Sequence, residues 1–224
     1  MSRLPQHAGD DFVIMWDNAY IAHHLAETPD PLKSIMACCR EIDTTKNLVI
    51  LASTSKITFA GAGISFLATA REQLARFEKY LGIAMIGFDK VNQLRHLRFL
   101  EDQAGLAAHM EKHRKILAPK FKSVLSILET ELGGTGIARW TKPNGGYFVS
   151  LDTMPGLASN VIGMAADAGV KLTPAGATFP YGRDPENSNI RIAPTYPPVE
   201  QLNKAMSVLV LCIQLCSAAQ LIRA

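Results

Sequence analysis

Residues Ala52–Phe66 read ASTSKITFAGAGISF, a stretch that sets one lysine, Lys56, between small hydroxyl residues and a pair of glycines. The segment leading into it, NLVILAS (Asn47–Ser53), is apolar without polar alternation, the pattern of a strand covered on both faces in a parallel sheet. Lys56 therefore stands just beyond the carboxyl end of a strand. The hydroxyls of Ser53, Thr54 and Ser55, together with exposed backbone amides, could hold a phosphate there. Gly61 and Gly63 let the backbone turn tightly or approach a ligand. The lysine precedes the glycines and GxxxxGK[ST] is absent, so this is not a P-loop. Taken alone, a lone lysine here reads first as a solvated loop cation, a reading that Gly61 and Gly63 weaken.

Working outward, FVIMW (Phe12–Trp16) is a second unbroken apolar run, ending at Asp17 within WDNAY, and ISFLATA (Ile64–Ala70) is a third. A helix of about Leu32–Ile42 separates the first two strands. Buried strands divided by a helix-length segment, with polar residues gathered at their carboxyl ends, indicate an open α/β sheet. Ligands bind such sheets beyond those carboxyl ends. After Ala70 the pattern is helical: REQLARFEKYL, KVNQLRHLRFL, then a long segment from Gln103 to Leu132 with Pro119 as an expected kink. From Gly133 onward, GIARWTKPNGGYFVSL reads as a hairpin turning at PNGG, Val161–Ala168 as a helix, and GVKLTP and NIRIAP as short strands. Val199–Ile222 is a closing helix. The expected division is a larger α/β domain over residues 1–108, then a connecting helix and a smaller α+β domain over 109–224.

Composition narrows the classes. With 224 residues, 48% of them hydrophobic, the chain can bury a real core. A net charge of +3 with dispersed cations argues for neither nucleic acid nor an anionic membrane surface as partner. Cys38–Cys39 and Cys212–Cys216 lack zinc or redox spacing and read as buried reduced thiols. The start, MSRLPQHAGDDFVIMW, carries charges and a proline where an export signal needs an apolar core, so the cytoplasm is the expected location. The run VLVLCIQLC is broken by Gln214, Ser217 and Gln220 before the roughly 20 residues of a membrane span, and reads as a buried helix. The histidines, His23 and His24 included, form no metal-spaced set and read as surface or core residues. No Ser/His/Asp arrangement stands out.

Three more residues have chemical potential. Asp17, directly after a strand, puts a carboxylate at the ligand edge of the sheet, although aspartate there is commonly a turn former or helix cap. Tyr20 follows one turn on and by itself reads as packing. Arg191, in NSNIRIAP, is a lone guanidinium on an apolar strand, suited to a carboxylate in two parallel hydrogen bonds or to a structural salt bridge.

The order of Asp17, Tyr20, Lys56 and Arg191, with WDNAY, STSKITFAGAGISF, PNGGYFVSL, GVKLTPAGATFPYG and NSNIRIAPTYPP, resembles the fold-type I pyridoxal-phosphate aminotransferases over essentially the whole chain. KVNQLRH, LTPAGATFPYG and IRIAPTYPP are most similar to a bacterial branch of aspartate aminotransferases. The resemblance implies pyridoxal 5'-phosphate as cofactor, held as a Schiff base on Lys56, whose freed amine then moves the substrate Cα proton. It implies that Asp17 faces the pyridine nitrogen, Tyr20 bonds the 3'-oxygen, Ser53 and Ser55 bind the phosphate, and Arg191 clamps the α-carboxylate. Transamination between aspartate and 2-oxoglutarate in a homodimer is the implied activity, with no metal. Arg183 is a candidate for the second substrate carboxylate only by its nearness to Arg191.

Two departures stand out. Most members of the family carry a phosphate-binding arginine where this chain has Gly63. They also have about as much sequence again before the aspartate strand, so the chain looks like a C-terminal half. The resemblance thus leaves two alternatives beside the enzyme: an inactive or partner-dependent fragment, and an aminotransferase-like effector domain of a transcription regulator.

Overall fold

A strand that ends in a carboxylate opens the architecture. β1 (Ile14–Asp17) pairs in parallel with β2 (Leu48–Ser53), Ile14 opposite Leu48 and Asp17 opposite Leu51. The computed structural model describes residues 1–9 and 11–223. The parallel pair requires a crossover, supplied by α1 (Ile35–Glu41), whose first turn is capped by Ser34 Oγ accepting from Ala37 N at 3.3 Å. β3 (Ser65–Thr69) lies antiparallel on the other side of β2, giving the order β1-β2-β3. Side chains pin the strand entries: Asn47 Nδ2 donates to Phe12 O at 2.7 Å, and Thr69 Oγ1 donates to Leu48 O at 2.7 Å.

Helices α2 (Arg71–Ala84), α3 (Lys90–Leu100) and α4 (Gln103–Leu132) follow, α4 running through Pro119 without interruption. A second sheet, order β4-β5-β6, is antiparallel and contains β4 (Ala138–Trp140), β5 (Val149–Thr153) and β6 (Asn189–Ile192). α5 (Ala158–Asp167) and α6 (Val199–Arg223) complete the chain.

The chain divides into two compact units. Unit 1 is Met1–Ala22 with Asp30–Glu111, and unit 2 is His23–Pro29 with Lys112–Ala224. The short segment His23–Pro29 departs from the division expected at 108/109. Its backbone is committed to unit 2, with Leu25 N donating to Asn144 O at 2.8 Å and Gly146 N donating to His23 O at 2.7 Å. β4 and β5 form the expected hairpin around PNGG, and its connection, residues 141–148, is a loop whose polar groups hold that neighbouring segment. GVKLTP is not a strand either. Gly169, at φ +87°, closes α5, and the following loop packs Val170 and Leu172 against the core instead.

Unit 2 has the large core. Phe121, Val124 and Leu128 of α4, Val149 and Leu151 of β5, Ile190 and Ile192 of β6, and Leu209 and Ile213 of α6 all lie within it. α6 is long and apolar enough by length and composition to cross a membrane, yet one face of it is buried in this core. Burial also pushes the Cys212 and Cys216 thiols up, which keeps them protonated and inert.

Unit 1 differs. Its buried cluster is Ile14, Cys39 and Leu48, with Phe12, Trp16, Ile35, Met36 and Ile50 packed around it. The expectation that its strands are covered on both faces fails for β1 and β3, where Met15 is 70% and Phe66 55% exposed, while no residue of β2 is exposed. β1 and β3 are both edge strands: Met15 points away from the cluster, whereas Phe66, opposite Ala52, is exposed on the same face as Ile50 and the cluster.

β6 is aligned by a carboxylate. Asp184 accepts from Glu186 N at 3.0 Å and from Ser188 N and Asn189 N at 2.8 Å, and Asn189 Nδ2 reaches Ser150 Oγ and Asp152 Oδ1. Slight burial raises the Asp184 pKa, but the donors from Asn189, Ser188, Glu186 and Asn187 outweigh it and hold the carboxyl below its ordinary value. A lowered folded-state pKa contributes stability above the unfolded pKa of about 3.9 and loses it as pH falls further. In urea unfolding, Asp184→Asn is therefore expected to be less stable than the parent at pH 6–7, with the gap closing as pH drops below about 4. Leu151→Ala, a fully buried truncation in β5, is expected to cost about 2–5 kcal/mol in the same measurement.

Candidate active site

Because β1 and β2 run parallel with Asp17 opposite Leu51, their carboxyl ends open on the same edge of the sheet. Asp17 closes β1 there. Its Oδ1 accepts from Ala19 N at 3.0 Å, so it does form the turn expected of an aspartate at this place, while Oδ2 has no partner among the described residues. Tyr20 lies in that turn, 38% exposed.

β2 leaves the same edge into the turn that carries Lys56. Ile57 N and Thr58 N both donate to Thr54 O, at 2.8 and 2.9 Å. Thr54 and Ile57 are buried beneath the turn while Ser55 and Lys56 are exposed on it. Ser53 Oγ and Ser55 Oγ are 2.8 Å apart, and Ser55 N donates to Ser53 Oγ at 3.1 Å. The returning chain turns at Gly61, φ +73°, and presses Gly63 against Ser55. A Cβ at Gly63 would sit 2.6 Å from Ser55 Oγ and 2.7 Å from Ser55 N. No side chain fits there, and an arginine at position 63 would have to displace the Ser55 turn.

The turn is fastened from below by residues that sequence reading passed over. His96 of α3 reaches Thr54 Oγ1 at 3.1 Å and Thr58 Oγ1 at 2.7 Å, Asn92 Nδ2 donates to Ala62 O at 3.0 Å, and His109 Nε2 lies 2.7 Å from Ile57 O. The available signal was polar residues at 92 and 96, one helical turn apart within KVNQLRH, on a helix otherwise built of charges and apolar residues.

Arg191 belongs to unit 2. On β6 it lies opposite Ser150, with its neighbours Ile190 and Ile192 turned into the core. Its Nη2 donates to Thr173 Oγ1 at 3.2 Å and its Cζ stands 4.5 Å over the Phe148 ring, an arrangement that keeps a guanidinium flat and in place. Its Nε is buried without a hydrogen-bond partner. It lines a small cavity with Thr173, Pro197 and Leu202. Neither reading of Arg191 as a salt-bridged residue nor a role for Arg183 finds a contact: no carboxylate pairs with Arg191 among the described residues, and Arg183 is exposed.

The structure thus brings Asp17, Tyr20, Ser53, Ser55 and Lys56 to one edge of unit 1, and sets Arg191 on the sheet of unit 2. Chemically, the first group combines an amine, a carboxylate and a cradle of hydroxyls and backbone. The cradle fits a phosphate, because the close Gly63–Ser55 approach leaves small polar groups and no side chain between them.

Comparison with known proteins agrees over the whole chain. A family model described as aspartate amino-transferase matches residues 3–224. An aspartate aminotransferase of Corynebacterium glutamicum is 45% identical over 211 residues, which cover 94% of this chain and 49% of that protein. A crystal structure of an aspartate transaminase from Corynebacterium glutamicum superposes with a TM-score of 0.90 at 45% identity, covering 94% of this chain and 50% of the other. The α-aminoadipate aminotransferase LysN of Thermus thermophilus, solved with N-(5'-phosphopyridoxyl)-L-leucine, shares the fold with a TM-score of 0.80 at 21% identity, over 97% of this chain and 54% of that one. The chain spans about half the length of the relatives it matches. Its mixed α/β architecture is part of the fold-type I pyridoxal-phosphate transferase fold, and the chain belongs to the aspartate aminotransferase family.

Proposed function

We propose that the chain is a pyridoxal-phosphate-dependent aminotransferase exchanging the amino group of aspartate with 2-oxoglutarate, working in the cytoplasm as a homodimer. The observation that carries this reading is the shared sheet edge of Asp17 and Lys56, beside a cradle shaped by Gly63. Bound pyridoxal phosphate supplies an electron-poor ring that takes up the electron pair left when the substrate Cα loses its proton.

The chain's own residues do the rest. Lys56 Nζ would hold the cofactor and would carry the substrate's Cα proton as the base of the site. The Asp17 carboxylate would accept from the protonated ring nitrogen, and Tyr20 Oη would donate to the 3'-oxygen. Ser53 and Ser55 hydroxyls bind the phosphate, with backbone amides in place of an arginine at position 63. Arg191 binds the α-carboxylate, and its buried, unpartnered Nε marks a guanidinium with donor capacity in reserve. Holding that carboxylate fixes which Cα bond faces the base.

One observation favours a second reading. Among the described residues, the buried apolar cluster of unit 1 is small, Ile14, Cys39 and Leu48, beside exposed edge-strand residues. On this reading the chain takes up the cofactor only with a partner polypeptide covering the sheet.

Adding pyridoxal phosphate to the purified chain separates the two. The first reading expects a visible absorbance band that shifts on adding aspartate, lost in Lys56→Ala and kept in Lys112→Ala. A band that survives Lys56→Ala overturns the assignment of the lysine, and no band in the parent chain favours the partner-dependent reading.

A further inference from the structure

His96 has no part in the reading above, yet it is 4% exposed and sits beneath the turn that carries Lys56. Its Nδ1 lies 2.9 Å from Asn92 O. A carbonyl only accepts, so Nδ1 carries a proton, and the opposite nitrogen is fixed toward the turn. That nitrogen, Nε2, is 3.1 Å from Thr54 Oγ1 and 2.7 Å from Thr58 Oγ1. The two threonines flank Lys56, two residues on either side.

Each threonine passes the constraint on. Thr54 Oγ1 accepts from Ile64 N at 2.8 Å, which ties the outgoing and returning strands of the loop. Thr58 Oγ1 lies 3.2 Å from Thr54 O, across the turn itself. The Phe59 ring meets the His96 ring edge-on with centroids 5.7 Å apart, closing the far side. A single imidazole therefore reaches both threonines that flank Lys56, beside the Asn92 and His109 contacts farther along the loop.

We propose that His96 is a positioning residue for Lys56: by binding Thr54 and Thr58 together it fixes the turn from which the amine projects, and so the direction in which Nζ meets a carbonyl carbon. The proposal rests on the role given to Lys56 above. The His96 contacts themselves do not depend on any cofactor, which allows the two to be tested apart.

The first measurement is amide hydrogen exchange of the chain without cofactor. His96→Phe keeps the ring and its contact with Phe59 but removes both nitrogens. Exchange at the Thr58 and Ile64 amides is expected to rise about tenfold, the size of one lost hydrogen bond, with unit 2 amides unchanged. His96→Gln returns an amide near the Nε2 position and is expected to restore most of the protection. Thr58→Val removes one of the two hydroxyls and shifts exchange the same way, which covers the case of a poorly folded His96→Phe. The second measurement is reductive trapping with pyridoxal phosphate and borohydride, read as a phosphopyridoxyl mass on the Lys56 peptide. His96→Phe is expected to slow trapping at Lys56 about tenfold, while labelling of exposed Lys112 stays constant and His96→Gln recovers. Unchanged exchange in both His96→Phe and Thr58→Val overturns the proposal, as does equal slowing of trapping in His96→Phe and His96→Gln. Faster exchange in the variants, with no Lys56 label even in the parent chain, supports the anchor and overturns the proposed function instead.

Discussion

The parallel pairing of β1 with β2 is the constraint on which the rest depends. Antiparallel neighbours would send Asp17 and Lys56 to opposite ends of the sheet; a parallel register with Asp17 opposite Leu51 sends both to one end. The helix within the crossover that makes this possible has only 7 residues, so its packing has to be specific. Cys39 of α1 is fully buried against the sheet, and Leu48 beneath it is too. Since side chains alternate along a strand, a slip of one residue would bring Met15 or Val49 inward in place of Ile14 or Leu48 and turn the Asp17 carboxylate to the other face.

The two units are stabilised by different means. In unit 2 helices α4, α5 and α6 bury apolar faces against the β4-β5-β6 sheet, and the hydrophobic effect is the main source of order. Unit 1 has few fully buried apolar residues, and its precision comes from directional polar ties instead: Asn47 to Phe12, Thr69 to Leu48, and His96 to Thr54 and Thr58. Such a network orients groups more sharply than apolar contact does, but each member is costly to leave unpaired. That suits a sheet edge where one amine and one carboxylate must keep their places.

What sequence disclosed follows the same division. The positions of Asp17 and Lys56 at strand ends and of Arg191 on an apolar strand were legible, because each run that carries them is a strand and their order along the chain is distinctive. The three apolar runs around them were legible too, and Ile14–Asp17, Leu48–Ser53 and Ser65–Thr69 are strands. Their burial was misjudged, because an unbroken apolar run signals coverage on both faces whether or not this chain supplies it. GVKLTP alternates like a strand, but Gly169 leaves α5 at φ +87° and the loop packs without a ladder. His96 reads in sequence as a surface or core histidine and is buried, but its bond to the turn is not legible there. Its partners lie some forty residues away in sequence, and no local pattern encodes a bond whose two halves meet only after α3 docks.

Gly63 shows why the composition of the loop is a solution in itself. Read against the family, this glycine is a missing phosphate-binding arginine. In the structure its Cα is pressed so closely on Ser55 that a Cβ would overlap the serine's backbone and hydroxyl. That contact in turn lets Ile64 N reach Thr54 Oγ1 and Thr54 N reach Ile64 O, closing the loop into a narrow pair of strands. An arginine would bring a charge but hold these strands apart, and the Thr54 hydroxyl could then no longer meet both Ile64 and His96. The close approach at Gly63 and the Thr54 contacts with Ile64 and His96 therefore belong to one arrangement, in which the loop carries small hydroxyls and amides in place of a long charged side chain.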